Sequence, residues 1–118
     1  MAASVYVDGS GGKNSGYGYF VKETGESFYK KDPGITNNQA EYMAIITVLK
    51  KFENSSDEII IFSDSKNTIF QLNHEYAINN EQLRGLAQEA WGIIGKYSNL
   101  SLKWIPRKEN LAGKMLGS

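Results

Sequence analysis

An apolar stripe at helical spacing, set between strand-like segments, limits what this chain can fold into. Tyr42, Ile45, Ile46, Leu49 and Phe52 recur at three- and four-residue intervals in a segment that begins at Asn38, which places them on one face of a helix. Residues 59–62 are then continuously apolar, the pattern of a central strand covered on both faces. A helix joining parallel strands of one sheet makes a right-handed crossover. The expectation is an α/β fold with a mixed sheet.

The flanking segments fill in the order. Val5 and Val7 alternate with Tyr6 and Asp8, as in a strand with two different faces. Glycines at 9, 11, 12, 16 and 18 make a flexible connection. Residues 17–22 and 27–31 are aromatic-rich runs around a Glu23-Thr24-Gly25-Glu26 turn, which reads as a hairpin. A short helix is expected over 66–72. Asn79-Asn80-Glu81-Gln82 resembles a helix start with a capping box, and Leu83, Leu86, Ala87, Ala90, Trp91 and Ile94 supply that helix's buried face. Leu100, Leu102 and Trp104 alternate as a last strand ended by Pro106. If the first and fourth strands are parallel neighbours, their carboxyl ends meet at a switch point, where ligands bind in open α/β sheets.

At 118 residues the chain reads as one domain, 1–118, large enough for a core without disulfides. Lys+Arg and Asp+Glu are both 13, so there is no overall electrostatic pull toward nucleic acid, although basic residues cluster at 30–31, 50–51 and 103–108. Absence of cysteine excludes thiolate metal sites. No signal-type start and no apolar run near ~18 residues is present, so a soluble, cytoplasmic protein with no membrane contact is expected; a monomer is expected as well.

Three acids then stand out. Asp8 and Asp64 lie where apolar strands stop, and Glu41 borders the apolar side of the helix that follows Thr36-Asn37-Asn38-Gln39-Ala40. Each has an ordinary explanation: an Asp-Gly turn for Asp8, a helix N-cap for Asp64, and a first-turn acid for Glu41. Together, in this topology, they can gather at one end of the sheet. A carboxylate at the edge of a core is costly unless paired or bound to metal. Oxygen-only donors suit Mg²⁺.

These blocks carry a resemblance. Val7-Asp8-Gly9-Ser10, Thr36-Asn37-Asn38-Gln39-Ala40-Glu41, Phe62-Ser63-Asp64-Ser65 and Trp104-Ile105-Pro106-Arg107-Lys108-Glu109-Asn110 occur in order, and over residues 5–114 the chain resembles the type 1 ribonuclease H family. The resemblance implies a five-stranded mixed sheet of order 3-2-1-4-5 flanked by helices, with the C-terminal helix truncated. It implies endonucleolytic cleavage of RNA in RNA–DNA hybrids, leaving 5′-phosphate and 3′-hydroxyl ends, with two Mg²⁺ ions and Mn²⁺ as substitute. Asp8 would be shared between the metals, with Glu41 and Asp64 flanking.

The sequence departs from the family near its end. A fourth acid is expected there, but Gly113 occupies that position. Asn110 is the candidate replacement ligand through its amide oxygen, with helix capping as the alternative role, and Glu109 is a second candidate. The family's loop histidine is also missing from residues 104–110; His74 lies elsewhere. Lys108 is an electrostatic candidate in its place.

For substrate, the resemblance implies that Gly9, Ser10 and Gly11 bring backbone close to the RNA. Asn14, Asn38 and Gln39 would reach the groove or the 2′-hydroxyls, which distinguish RNA from DNA. Thr36 and Asn37 would hold a DNA-strand phosphate, and Lys66 a further phosphate. There is no basic protrusion between the middle helices. Two alternatives stay open: a related-fold DNA nuclease of resolvase or transposase type, and a catalytically weak hybrid-binding protein.

Overall fold

The computed structural model describes residues 2–116, with side chains for residues 2–113. Met1, Gly117 and Ser118, part of the expected single domain, lie outside the described residues. Five strands form one sheet: β1 (Ala2–Ser10), β2 (Gly16–Val21), β3 (Ser27–Lys31), β4 (Glu58–Ser63) and β5 (Leu100–Trp104). Four helices flank it: α1 (Asn37–Phe52), α2 (Lys66–Leu72), α3 (Glu81–Ile94) and α4 (Leu111–Leu116). A 3₁₀ turn, Arg107–Glu109, precedes α4.

The strand order is β3-β2-β1-β4-β5, as the resemblance implies. β1 and β2, and β2 and β3, run antiparallel, whereas β4 is parallel to both β1 and β5. Helix α1 packs on β1, β2 and α3, so the crossover from β3 to β4 covers the sheet. Its apolar stripe closes the core, with Tyr42, Ile45, Val48 and Leu49 completely buried beside Val5, Val7, Ile59 and Ile61. Each such side chain contributes roughly 1.5–3 kcal/mol of transfer free energy.

Several local expectations are corrected. β1 does not stop at Asp8 but continues to Ser10, because Asp8, Gly9 and Ser10 still pair with Gly18, Tyr17 and Gly16 of β2. β4 is less enclosed than its composition implies. Ile59 and Ile61 are buried while Ile60 and Phe62 are half-buried on the other face, where Phe62 stacks on Tyr6 at 4.9 Å.

The α3 start is one residue later than its expected cap: Asn80, not Asn79, accepts from the Leu83 N–H at 3.0 Å. Gln82 consequently falls out of capping register and accepts from Gln39 Nε2 at 3.0 Å instead. Ile93, absent from the expected apolar face, is buried, while Leu86, Trp91 and Ile94 are partly covered. Among the described residues no helix is long and apolar enough to cross a membrane.

Candidate functional site

The parallel pairing of β1 and β4 sets the site. Tyr6 stands opposite Phe62, so Asp8 and Asp64, each two residues further on, leave the same end of neighbouring strands. Glu41 reaches them from the second turn of α1. Ligand-type oxygens of Asp8, Glu41 and Asp64 all lie within 4.8 Å of one another. Asp8 and Glu41 are buried, at 2% and 7% exposure.

The ordinary roles open to these acids do not describe them. The N-cap of α2 is Ser65, which accepts from Thr68 N–H, so Asp64 is free of that duty. No acid stands in the first turn of α1, and Glu41 lies beyond it.

Glycine makes the approach of strand to helix possible. A Cβ at Gly9 would lie 2.5 Å from the Ala40 carbonyl carbon and 2.7 Å from the Glu41 nitrogen. Because β1 touches α1 so closely, the Gly9 N–H donates to Glu41 Oε1 at 3.2 Å. Ser63 Oγ donates to the other carboxylate oxygen at 3.4 Å. Burial, and then the nearby charges of Asp8 and Asp64, nonetheless push Glu41 up from 4.5 to about 8. The two hydrogen bonds act in the opposite direction and only partly offset this.

A cleft of about 320 Å³ opens over Glu41 and Asp64, lined with them by Gly9, Ser10, Asn37, Asn38, Ser65 and Arg107; the buried Asp8 is not part of the lining. Of the substrate residues expected from the sequence, Gly9, Ser10, Asn37 and Asn38 are therefore brought to it. Gly11 is not part of the lining, and its N–H donates to Asn37 Oδ1.

Thr36 and Gln39 serve a different purpose, forming the capping box of α1. Gln39 N–H donates to Thr36 Oγ1 at 3.1 Å, and Thr36 N–H to Gln39 Oε1 at 2.9 Å. Asn14 is exposed in the loop between β1 and β2 and does not line the cleft. Lys66 lays its ammonium over the Trp104 ring at 4.8 Å, outside the cleft lining.

Asn110 is completely buried. Its Nδ2 donates to Val7 O and to Asp64 Oδ2, each at 2.9 Å, and its Oδ1 accepts from Ala112 N–H at 3.0 Å. The amide cannot be reversed, because a carbonyl only accepts and a backbone N–H only donates. Asn110 thus turns nitrogen, not oxygen, toward the acids. This corrects the expectation of an Asn110 metal ligand: a donating amide nitrogen has no lone pair for a cation. Glu109 is exposed, in the 3₁₀ turn.

Besides Ser65, which also lines the cleft, sequence reasoning missed Arg107, having favoured its neighbour Lys108. Its Nη1 lies 3.9 Å from Asp64 Oδ2, with most of the side chain in solvent. The signal was the position of residues 105–109 directly after β5, since β5 pairs with β4 up to Ser63 and Trp104. His74 sits apart, stacked on Trp91 at 4.7 Å.

Comparison with known proteins matches this geometry to one family. A family model described as RNase H matches residues 1–110. A putative hydrolase, EbsB, of Enterococcus faecalis (strain ATCC 700802 / V583) is 25% identical over 120 residues, covering 95% of this chain and 88% of the relative. RNase H1 from the halophilic archaeon Halobacterium salinarum NRC-1 superimposes with a TM-score of 0.86 at 25% identity, over 98% of this chain and 94% of that one. LC11-RNase H1, solved in complex with an RNA/DNA hybrid, gives 0.83 at 23% identity, over 97% and 92% of the two chains.

Proposed function

Because this chain belongs to the ribonuclease H family, and is by that membership a ribonuclease H hydrolase, we propose that it cleaves the RNA strand of RNA–DNA hybrids, leaving 5′-phosphate and 3′-hydroxyl ends. The observation that carries the reading is the convergence of Asp8, Glu41 and Asp64 from β1, α1 and the end of β4 to within 4.8 Å. The hybrid bound by LC11-RNase H1, whose fold this chain shares, supports the choice of substrate.

The acids fit a hard divalent cation. All three offer carboxylate oxygen, and Glu41 is elevated first by burial and then by the charges of Asp8 and Asp64, a condition that a bound cation would relieve. Asp8, Glu41 and Asp64 would hold Mg²⁺, with Mn²⁺ as substitute, and a pair of such ions supplies charge neutralisation at the phosphate and activation of the attacking water.

The rest falls to the chain itself. Gly9 and Ser63 orient the Glu41 carboxylate through their hydrogen bonds. Gly9 and Ser10 present backbone at the cleft wall, where a sugar–phosphate strand would approach. Asn38 offers an amide that donates and accepts, which suits 2′-hydroxyl recognition, while Asn37, whose Oδ1 accepts from Gly11 N–H, has its amide donors for a DNA-strand phosphate. Arg107, at the cleft edge, faces the phosphate backbone with a fixed fork of donors.

A panel of end-labelled duplexes tests the reading. RNA–DNA hybrid should be cut with Mg²⁺ while DNA–DNA and single-stranded RNA stay intact. Cleavage of DNA–DNA with the hybrid spared would reverse the assignment.

A further inference from the structure

We infer that Asn110 is a positioning residue for Asp64, holding that carboxylate in place from the point where the sequence lacks an acid. Its amide nitrogen spans two strand ends, meeting the carbonyl of Val7, which immediately precedes Asp8, and the Asp64 carboxylate. These partners lie 103 and 46 residues away in sequence, so a single side chain ties β1 to the segment leaving β4. The amide oxygen anchors the tie to the first turn of α4 through Ala112.

Two donors, Asn110 Nδ2 and Arg107 Nη1, face the same oxygen, Asp64 Oδ2, at 2.9 and 3.9 Å. The Asn110 hydrogen bond restrains the rotation of the carboxylate relative to Asp8 and Glu41, while Arg107 adds only its charge from beyond hydrogen-bond reach. Complete burial of Asn110 makes the arrangement rigid, because no water can replace a lost partner without opening the core. The site thus carries three acids and a neutral donor, and cation affinity depends on how well Asp64 is held.

The inference rests on the hybrid-cleaving reading only for its kinetic arm. Asn110→Ser retains a helix-capping hydroxyl but is too short to reach Asp64. It should bind Mg²⁺ alone about 10–100-fold more weakly by calorimetry and lower kcat by a similar factor. KM for the hybrid should stay within about twofold, because uniform substrate binding is untouched. Asn110→Asp keeps the capping oxygen but replaces the donating nitrogen with a charged oxygen, and it should also lose activity.

Unchanged Mg²⁺ affinity in Asn110→Ser would overturn the positioning role. So would an Asn110→Asp protein with wild-type or higher kcat, the behaviour of a ligand or of a simple cap. If the wild-type protein cuts no hybrid, the proposed activity fails, while calorimetry on Asn110→Ser still decides the role of Asn110.

Discussion

Gly9 N–H donates to Glu41 Oε1 across 3.2 Å, joining the strand that carries Asp8 to the helix that carries Glu41. The contact exists because residue 9 has no Cβ: an added carbon would sit 2.5 Å from backbone of Ala40. Backbone cannot yield as a flexible side chain does. Gly9→Ala is therefore expected to lose roughly 1–3 kcal/mol by overpacking. Displacing Glu41 should also cost about a hundredfold in kcat. Thermal unfolding beside steady-state kinetics checks both, and an alanine variant as stable and active as wild type would refute the close packing.

The elevated Glu41 makes stability depend on pH in a defined direction. Unfolded, this group releases its proton near 4.5; folded, it keeps it to about 8. Between those values the native state holds more protons, so stability falls as pH rises. The contribution is fully present below the unfolded value and lost through about 8. Metal-free protein should show a falling melting midpoint across this window. Mg²⁺ should restore more stability at the alkaline end, where the ionised carboxylate needs compensation. Glu41→Gln should flatten the dependence, and an equal slope in variant and wild type would remove Glu41 as its source.

Arg107 should act on the substrate more than on the fold. Its side chain is mostly in solvent and 3.9 Å from Asp64, a geometry in which an ion pair adds little stability. Arg107→Ala is expected to leave the melting midpoint nearly unchanged. It should weaken hybrid binding and lower the salt slope of affinity by about one. Binding isotherms at several salt concentrations measure this, and an unaltered slope would remove Arg107 from phosphate contact.

Much of this site is legible in sequence because local pattern dictates it. The apolar run before Asp64, the alternation before Asp8 and the helical stripe behind Glu41 each position an acid within its own element. Pairing between elements is what sequence hides. The Asp8-Gly9 pair reads as a turn, yet β2 supplies partners through Gly16 and the strand runs on. Arg107 reaches Asp64 only because Ile105 N–H donates to Ser63 O at 2.9 Å, extending the β4–β5 pairing beyond Trp104.

Asn110 illustrates a different limit. An amide is donor and acceptor at once, and only its neighbours decide which end faces the acids. Thr36 and Gln39 show a similar competition, since the polar groups that suit a nucleic acid equally suit the capping box they form.

The most direct measurement is hydrolysis of a labelled RNA–DNA hybrid by the wild-type protein and Asp8→Asn, each with Mg²⁺ and with Mn²⁺. The carboxylate site predicts metal-dependent cutting of the RNA strand by wild type, and loss of at least about a hundredfold in the variant, which retains the shape of Asp8 but not its charge. Wild-type protein that leaves the hybrid intact at saturating Mn²⁺, or an Asp8→Asn variant that cuts equally well, would contradict it.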